Sequence, residues 1–342
     1  MWHVSPITTA DLPALESLLQ ANPLRLSTLP PVRDQLAERI TASVQGFAGI
    51  DNNATLLFGL HDEAGSLLGI SGIQPYAGGD EPFYSYRIDE LVHASRHLGI
   101  NQRQSVLYLS HELTGLTSLC SFSLSPSLRE TDAFALLSRS RLLYMAAHAH
   151  AFSDELVCEI QGIWNSQGQS LFWQNVGELF FGLDFITADH QCSLHGKTVI
   201  AELLPPYPIY TTLLSEPAQA AIARAHPGAA RTIEWLEHEG LHKTRFVDPF
   251  DAGPTYRGKL ADLSSMRALR PFRNTHLGEV EPGDRSYRPH LVSQGQGSEF
   301  HCRLLSGMLV DDEFLLAPDT TYADPLLKSN TPGLALPLEE RD

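Results

Sequence analysis

No run of apolar residues in this chain approaches the ~20 needed to cross a bilayer as a helix. Nor does a basic stretch followed by an apolar one stand near the start, so no secretion signal is read. Cysteine is scarce, with four in 342 residues, at Cys120, Cys158, Cys192 and Cys302, and no C-x-x-C spacing. That usage points to reduced thiols and a cytoplasmic setting. Basic charge is in deficit: 24 Lys and Arg against 40 Asp and Glu give a formal net charge of −16. An acidic chain is a poor partner for nucleic acid or an anionic membrane and suits a cationic substrate better. Any anionic cofactor must then be held by a local basic cluster. The sequence also lacks a G-x-S-x-G elbow, a Walker A motif and a G-x-G-x-x-G turn. Serine hydrolase, P-loop NTPase and nicotinamide readings lose their usual support.

What is present is an alternation of strands and helices, which argues a mixed α/β sheet. A short strand ends at Pro6. A helix capped by Thr9 carries Leu12, Leu15, Leu18 and Leu19 on one stripe, and a second runs from Pro31 to about Phe47. Two strands, 54–60 and 66–73, flank the hairpin signal Asp62–Gly65. Further on we expect a strand over 155–164, a helix over 170–181 and a strand over 199–204. A helix capped by Ser215 follows, and then one over 229–239 stopped by Gly240. From about Ala261 short apolar runs, Pro, Gly and Ser dominate. The expectation is a domain over 1–260 and a small β-rich domain over 261–342, its tail loose after about Asp324.

The most informative stretch is the strand Thr117–Leu124, the polar loop 125–131 and the helix 132–147, read as long and amphipathic. A loop delivered to a helix N-terminus can hold a phosphate on unpaired first-turn N–H groups, such as the pyrophosphate of coenzyme A. Arg129, Arg139 and Arg141 are the candidate phosphate ligands. The glycines that usually let such a loop approach a phosphate are absent here.

Other motifs carry two readings each. His238–His242 spells H-E-x-x-H, but Gly240 ends the helix, so the zinc geometry is not expected and no metal site is assigned. His226, fixed by Pro227 at a helix-to-helix corner, reads as a cap or as an acid–base group. Asp248 and Asp251 either make turn contacts or pair with a cation. Glu159 and Glu202 interrupt apolar strands, so each needs a partner: a strand-end ion pair or a substrate guanidinium.

Several stretches together resemble the arginine N-succinyltransferase family. They are Ser27–Pro30, Pro82–Arg87, Leu91–Ser95, Glu112–Gly115, Ser138–Leu142, Phe172–Trp173, Ala201–Pro205, Pro208–Tyr210, His226–Pro227 and Phe250–Thr255. The resemblance runs over nearly the whole length to about Thr255. It implies a GNAT-type acyl-CoA N-acyltransferase fold and transfer of a succinyl group from succinyl-CoA to the α-amino group of L-arginine or ornithine. It makes His226 the proton donor and places a succinyl-CoA contact at Phe122, where active members usually carry leucine. Backbone N–H groups near Ser121–Ser123 would then stabilise the oxyanion; that Glu159, Glu202 or Asp251 takes the guanidinium is read from their charge and not from the resemblance. The loop Arg129–Phe134 departs from the active pattern, with Asp132 where the pyrophosphate is expected. The family includes related alpha and beta chains, and Phe83–Tyr84, Leu91–Arg96 and Ser140–Leu143 look closer to the alpha type. The chain is therefore expected to work as a homo-oligomer or beside a beta-type partner, or else to be an inactive partner subunit itself.

Overall fold

In the computed structural model, residues 2–22, 26, 28–29, 32–79, 81–195, 198, 203–278, 287–317 and 327–338 are described. The chain opens with β1 (His3–Pro6), α1 (Leu12–Ala21) and α2 (Arg33–Phe47). Thr8 rather than Thr9 caps the 3₁₀ turn Thr9–Asp11 that leads into α1: the Asp11 carboxylate accepts from the Thr8 N–H and hydroxyl at 2.8 and 2.9 Å. β2 (Leu56–His61) and β3 (Leu67–Gln74) form the expected hairpin, with Asp62 Oδ1 accepting from the Ala64 and Ser66 N–H groups. Then come β4 (Ser85–Ser95), β5 (Ile100–Ser110), β6 (Thr117–Leu124) and α3 (Asp132–Ala147). β7 is shorter than expected, Glu155–Glu159. The helix expected over 170–181 is two, α4 (Leu171–Asn175) and α5 (Gly177–Phe181), broken at Val176. α6 (Phe185–His195), β8 (Ile209–Tyr210), α7 (Glu216–Ala221) and α8 (Ala230–Glu239) follow. α8 ends at Gly240 with φ +103°, so His242 begins β9 (His242–Val247) instead of sharing a helix face with His238. β10 (Pro254–Lys259) and α9 (Ser264–Ala268) precede the last strands. These are β11 (Arg270–Phe272), β12 (Asn274–Leu277), β13 (Arg288–Gln294), β14 (His301–Val310), β15 (Glu313–Leu316) and β16 (Gly333–Pro337).

The chain divides into two compact units. One holds 1–75, 120–152 and 261–342; the other holds 76–119 and 153–260. The stretch 261–342 is thus not the separate small domain expected. β14 pairs antiparallel with β1, Val4 opposite Cys302, and with β13. α3 lies against β1, β2, β3, β13 and β14 alike. The composition shift at 261 marks a change to short strands, not a new core. Nor is the end of the chain loose throughout, because β16 pairs with both β11 and β13.

In the first unit the strand order is β11-β16-β13-β14-β1-β2-β3-β6. Its centre is an aromatic cluster: the Tyr144 ring meets Phe47, Phe58, Phe152 and Phe300 at centroid distances of 5.1 to 6.2 Å. α3 is not amphipathic. It buries 11 of its residues, among them Ser138, Ser140 and Arg141, because α9 and the last strands cover it as well as the sheet. Ser138 and Ser140 donate to the Phe134 and Leu137 carbonyls at 2.6 and 3.0 Å, which is how a buried helix carries hydroxyls.

In the second unit the order is β7-β10-β9-β4-β5-β8. Tyr86, Phe172, Trp173, Val247 and Phe250 form its core, with Phe250 stacked on Trp173 at 5.2 Å. Val199–Glu202, most of the expected strand at 199–204, lies outside the described residues, and Leu203 is helical.

Candidate functional site

In the first unit, β6 loses its regular strand geometry at Ser121, whose φ is +54°. A non-glycine residue in the left-handed region costs energy and marks a place where the ladder is interrupted. The Ser121 hydroxyl shares a hydrogen bond with Thr28 at 2.8 Å. Ser123 accepts from Asn22 Nδ2 at 2.6 Å, and Asn22 Oδ1 accepts in turn from Arg129 at 2.9 Å. Phe122, half-buried, meets Phe134 edge-on at 5.2 Å and lies 5.5 Å beneath the Arg141 guanidinium. A cavity of about 240 Å³ opens beside Ser121, lined in part by Thr28, Arg39, Asp51 and Gln74.

The loop closes on itself. Thr131 caps α3, its hydroxyl accepting from the Ala133 N–H at 3.3 Å and donating to the Leu128 carbonyl at 2.8 Å. The Phe134 N–H reaches the Thr131 carbonyl at 3.2 Å. Two first-turn donors are therefore committed locally, and Asp132 already supplies the negative charge that a helix N-terminus favours. The three arginines expected on phosphates fare differently. Arg141 is 2% exposed, donates to the Ser138 and Gly72 carbonyls, and holds α3 to β3. Arg139 donates to Ser265 at 3.2 Å, tying α3 to α9. Arg141 is a correction, because its place on a helix covered on several faces turns it inward, while Arg139 stays half-buried. Arg129, half-buried in the loop, donates to Asn22.

In the second unit the chain past β7 meets the turn after β9. His226 caps a short 3₁₀ turn, Pro227–Ala229, and its backbone N–H donates to the Gln161 carbonyl at 2.8 Å. Its Nδ1 accepts from the Gly228 N–H at 3.0 Å. A ring nitrogen that accepts a backbone N–H carries no proton, so the neutral ring bears its proton on Nε2. Burial pulls its pKa below the ordinary value, and the Trp164 ring lies 6.4 Å away.

Asp251 anchors this corner. Its two carboxylate oxygens accept from the Gly162 and Gly253 N–H groups, both at 2.8 Å. Asp248 Oδ1 accepts from the Phe250 and Asp251 N–H groups at 2.7 and 3.2 Å. Burial, joined by the Asp248 charge, pushes Asp251 well above the usual carboxylate range against the pull of the two N–H groups and Trp164. Gly162 is required, because a Cβ there would collide with the Asp251 carbonyl. Two alanines hold left-handed backbone here, Ala223 at φ +57° and Ala252 at +54°. The Ala223 N–H donates to the Ala252 carbonyl at 2.8 Å.

Asp251 is thus a buried turn anchor and not the guanidinium ligand expected of it. Glu159 ends β7, half-buried, opposite Thr255 on β10 and two residues before Gln161. Glu202 lies outside the described residues. Sequence reasoning missed Gln161. Among the described residues its side-chain amide finds no hydrogen-bond partner, although both polar atoms are shielded from solvent. An amide with unused capacity beside His226 is suited to a polar substrate group. Its only sequence signal was a polar amide within the strand expected over 155–164.

The model of one family, described as "Arginine N-succinyltransferase beta subunit", matches residues 2–265. The chain is 38% identical over 309 residues to arginine N-succinyltransferase subunit alpha of Pseudomonas aeruginosa, covering 89% of this chain and 90% of that one. It is 37% identical over 325 residues to subunit beta of the same organism, at 94% and 92% coverage. Its structure matches that of the arginine/ornithine succinyltransferase subunit AI from Pseudomonas aeruginosa with a TM-score of 0.84, at 34% identity and 98% coverage of both chains. The chain belongs to the arginine N-succinyltransferase family, and it shares the fold of the arginine/ornithine succinyltransferase subunit.

Proposed function

We propose that the chain transfers the succinyl group of succinyl-CoA to the α-amino group of L-arginine, a step of arginine breakdown. The observation that carries this is the near full-length likeness to chains named for that reaction. The neutral amine attacks the thioester carbonyl. The tetrahedral intermediate expels the CoA thiolate, and the proton lost by the amine ends on sulfur. His226, with Nδ1 committed to Gly228, offers Nε2–H as the donor in that step. The interrupted backbone at Ser121 supports a role for the N–H groups of Ser121–Ser123 at the oxyanion and for Phe122 beside the acyl chain. Arg129 is assigned to the CoA phosphates, and Glu159 with Gln161 to the amino-acid acceptor. No metal or tightly bound cofactor enters this chemistry. Among the described residues no helix is long and apolar enough to cross a membrane. The working place is the cytoplasm, as a homo-oligomer or with a beta-type subunit. Purified chain given succinyl-CoA and L-arginine should release free CoA thiol and N-succinylarginine. No release, alone or with a beta-type subunit, would overturn the proposal.

One observation favours a second reading. The start of α3 is capped by its own loop and lacks glycine, so its grip on CoA is weaker than an open helix end provides. On that reading the chain is an inactive partner subunit. Calorimetry separates the two, because an inactive partner takes up no CoA even at millimolar concentration.

A further inference from the structure

The cavity beside Ser121 belongs wholly to the first unit and is built from α2, the start of β2, the end of β3 and the interrupted residue of β6. At about 240 Å³ it is smaller than the roughly 300–1,000 Å³ of pockets that take whole drug-sized ligands, so it suits a short polar fragment. Arg39 and Ala42 both line it, spaced three residues apart on one strip of α2. Among the described lining residues Arg39 is the cation and Asp51 the anion. Asp51 is engaged, with its Oδ1 accepting from the Asn53 N–H at 2.9 Å. Thr28 and Ser121, joined at 2.8 Å, contribute hydroxyls. Arg39 is exposed, so a ligand can reach its guanidinium from solvent.

A succinyl group differs from a butyryl group in one respect that a protein can read strongly: a free carboxylate at its far end. A guanidinium is the side chain best shaped for it, through a two-pronged charge-assisted contact. Resting on the proposed succinyl transfer, we propose that this cavity is the acyl-carboxylate subsite, with Arg39 holding the terminal carboxylate and the Thr28 and Ser121 hydroxyls beside it.

The test compares binding of succinyl-CoA and butyryl-CoA to wild type, Arg39→Gln and Arg39→Lys by titration calorimetry, with thermal melts as a folding control. Arg39→Gln should weaken succinyl-CoA roughly 10- to 100-fold and leave butyryl-CoA within about twofold, with Arg39→Lys in between. Equal loss for both ligands, an unchanged succinyl-to-butyryl ratio in Arg39→Gln, or no binding of either ligand to wild type would overturn the assignment. Thiol release measured on the same wild-type sample keeps the two claims apart. Arg39-dependent binding without turnover removes the transferase reading and leaves the subsite standing.

Discussion

The β6–α3 stretch of the first unit and the His226–Asp251 corner of the second spend their polar groups differently. Along β6–α3, the hydrogen-bonding capacity is met locally by uncharged groups. Arg141 sits on carbonyls, Arg139 on Ser265, Arg129 on Asn22, and Thr131 caps its own helix. One residue, Ser121, is held in left-handed backbone. At the corner, two alanines are so held, a carboxyl is buried beside another carboxylate, and a histidine is desolvated in a single tautomer. Strain and shifted ionisation gather where chemistry requires them, whereas self-satisfied networks build scaffold. The arginines most conspicuous in the sequence are each engaged by neighbouring groups, whereas the shifted ionisation lies at the quieter His-Pro corner.

Substitutions on the two sides should separate along that line. The largest effect belongs to His226→Ala, which should lower kcat roughly 10²- to 10⁴-fold with little change in melting temperature. Arg139→Ala should instead lower the melting temperature and leave kcat within about twofold. Equal behaviour of the two variants in steady-state kinetics and thermal melts would erase the comparison.

Next comes Asp251→Ala, which leaves the Gly162 and Gly253 N–H groups without their acceptor and should cost about 2–4 kcal/mol in urea unfolding. The pH dependence sharpens this. The unfolded carboxyl titrates near ~3.9, and burial raises the folded one. The folded chain therefore keeps the proton longer. The stability Asp251 contributes is full below the unfolded value and is lost as pH rises through the folded one. Asp251→Asn should flatten that decline, and an unaltered pH profile would speak for an ionised Asp251.

Thr131→Ala removes the α3 cap and should cost about 1 kcal/mol without touching kcat. The smallest effect is Ala252→Gly, expected to stabilise by about 0.5 kcal/mol as left-handed strain is relieved against the entropy of glycine. Ser121→Gly should gain nothing, because it also loses the Thr28 hydrogen bond. A stabilised Ser121→Gly beside an unchanged Ala252→Gly would reverse the assignment of strain.

Much of the fold was legible in the sequence for local reasons. The Asp62–Gly65 turn, the Ser215 cap and the Gly240 stop each act through their own neighbours, and they stand where expected. What was not legible depends on long-range packing. The burial of Arg141 follows from β13, β14 and α9 covering α3, and no local pattern carries that information. The joining of β14 to β1 spans about three hundred residues, so a composition shift at 261 could not reveal it. At the corner, His226 was legible through its proline and through the resemblance. The Asp251 anchor and the Gln161 amide were not, because their meaning lies in which backbone groups fold back on them.

On the proposed reading this chain is itself a succinyltransferase whose proton chemistry runs through His226. The most direct measurement follows thiol release and product mass together, with purified wild type, succinyl-CoA and L-arginine. One CoA thiol should appear per N-succinylarginine, with turnover all but lost in His226→Ala. Full turnover in that variant, or no product from wild type even beside a beta-type subunit, would contradict it.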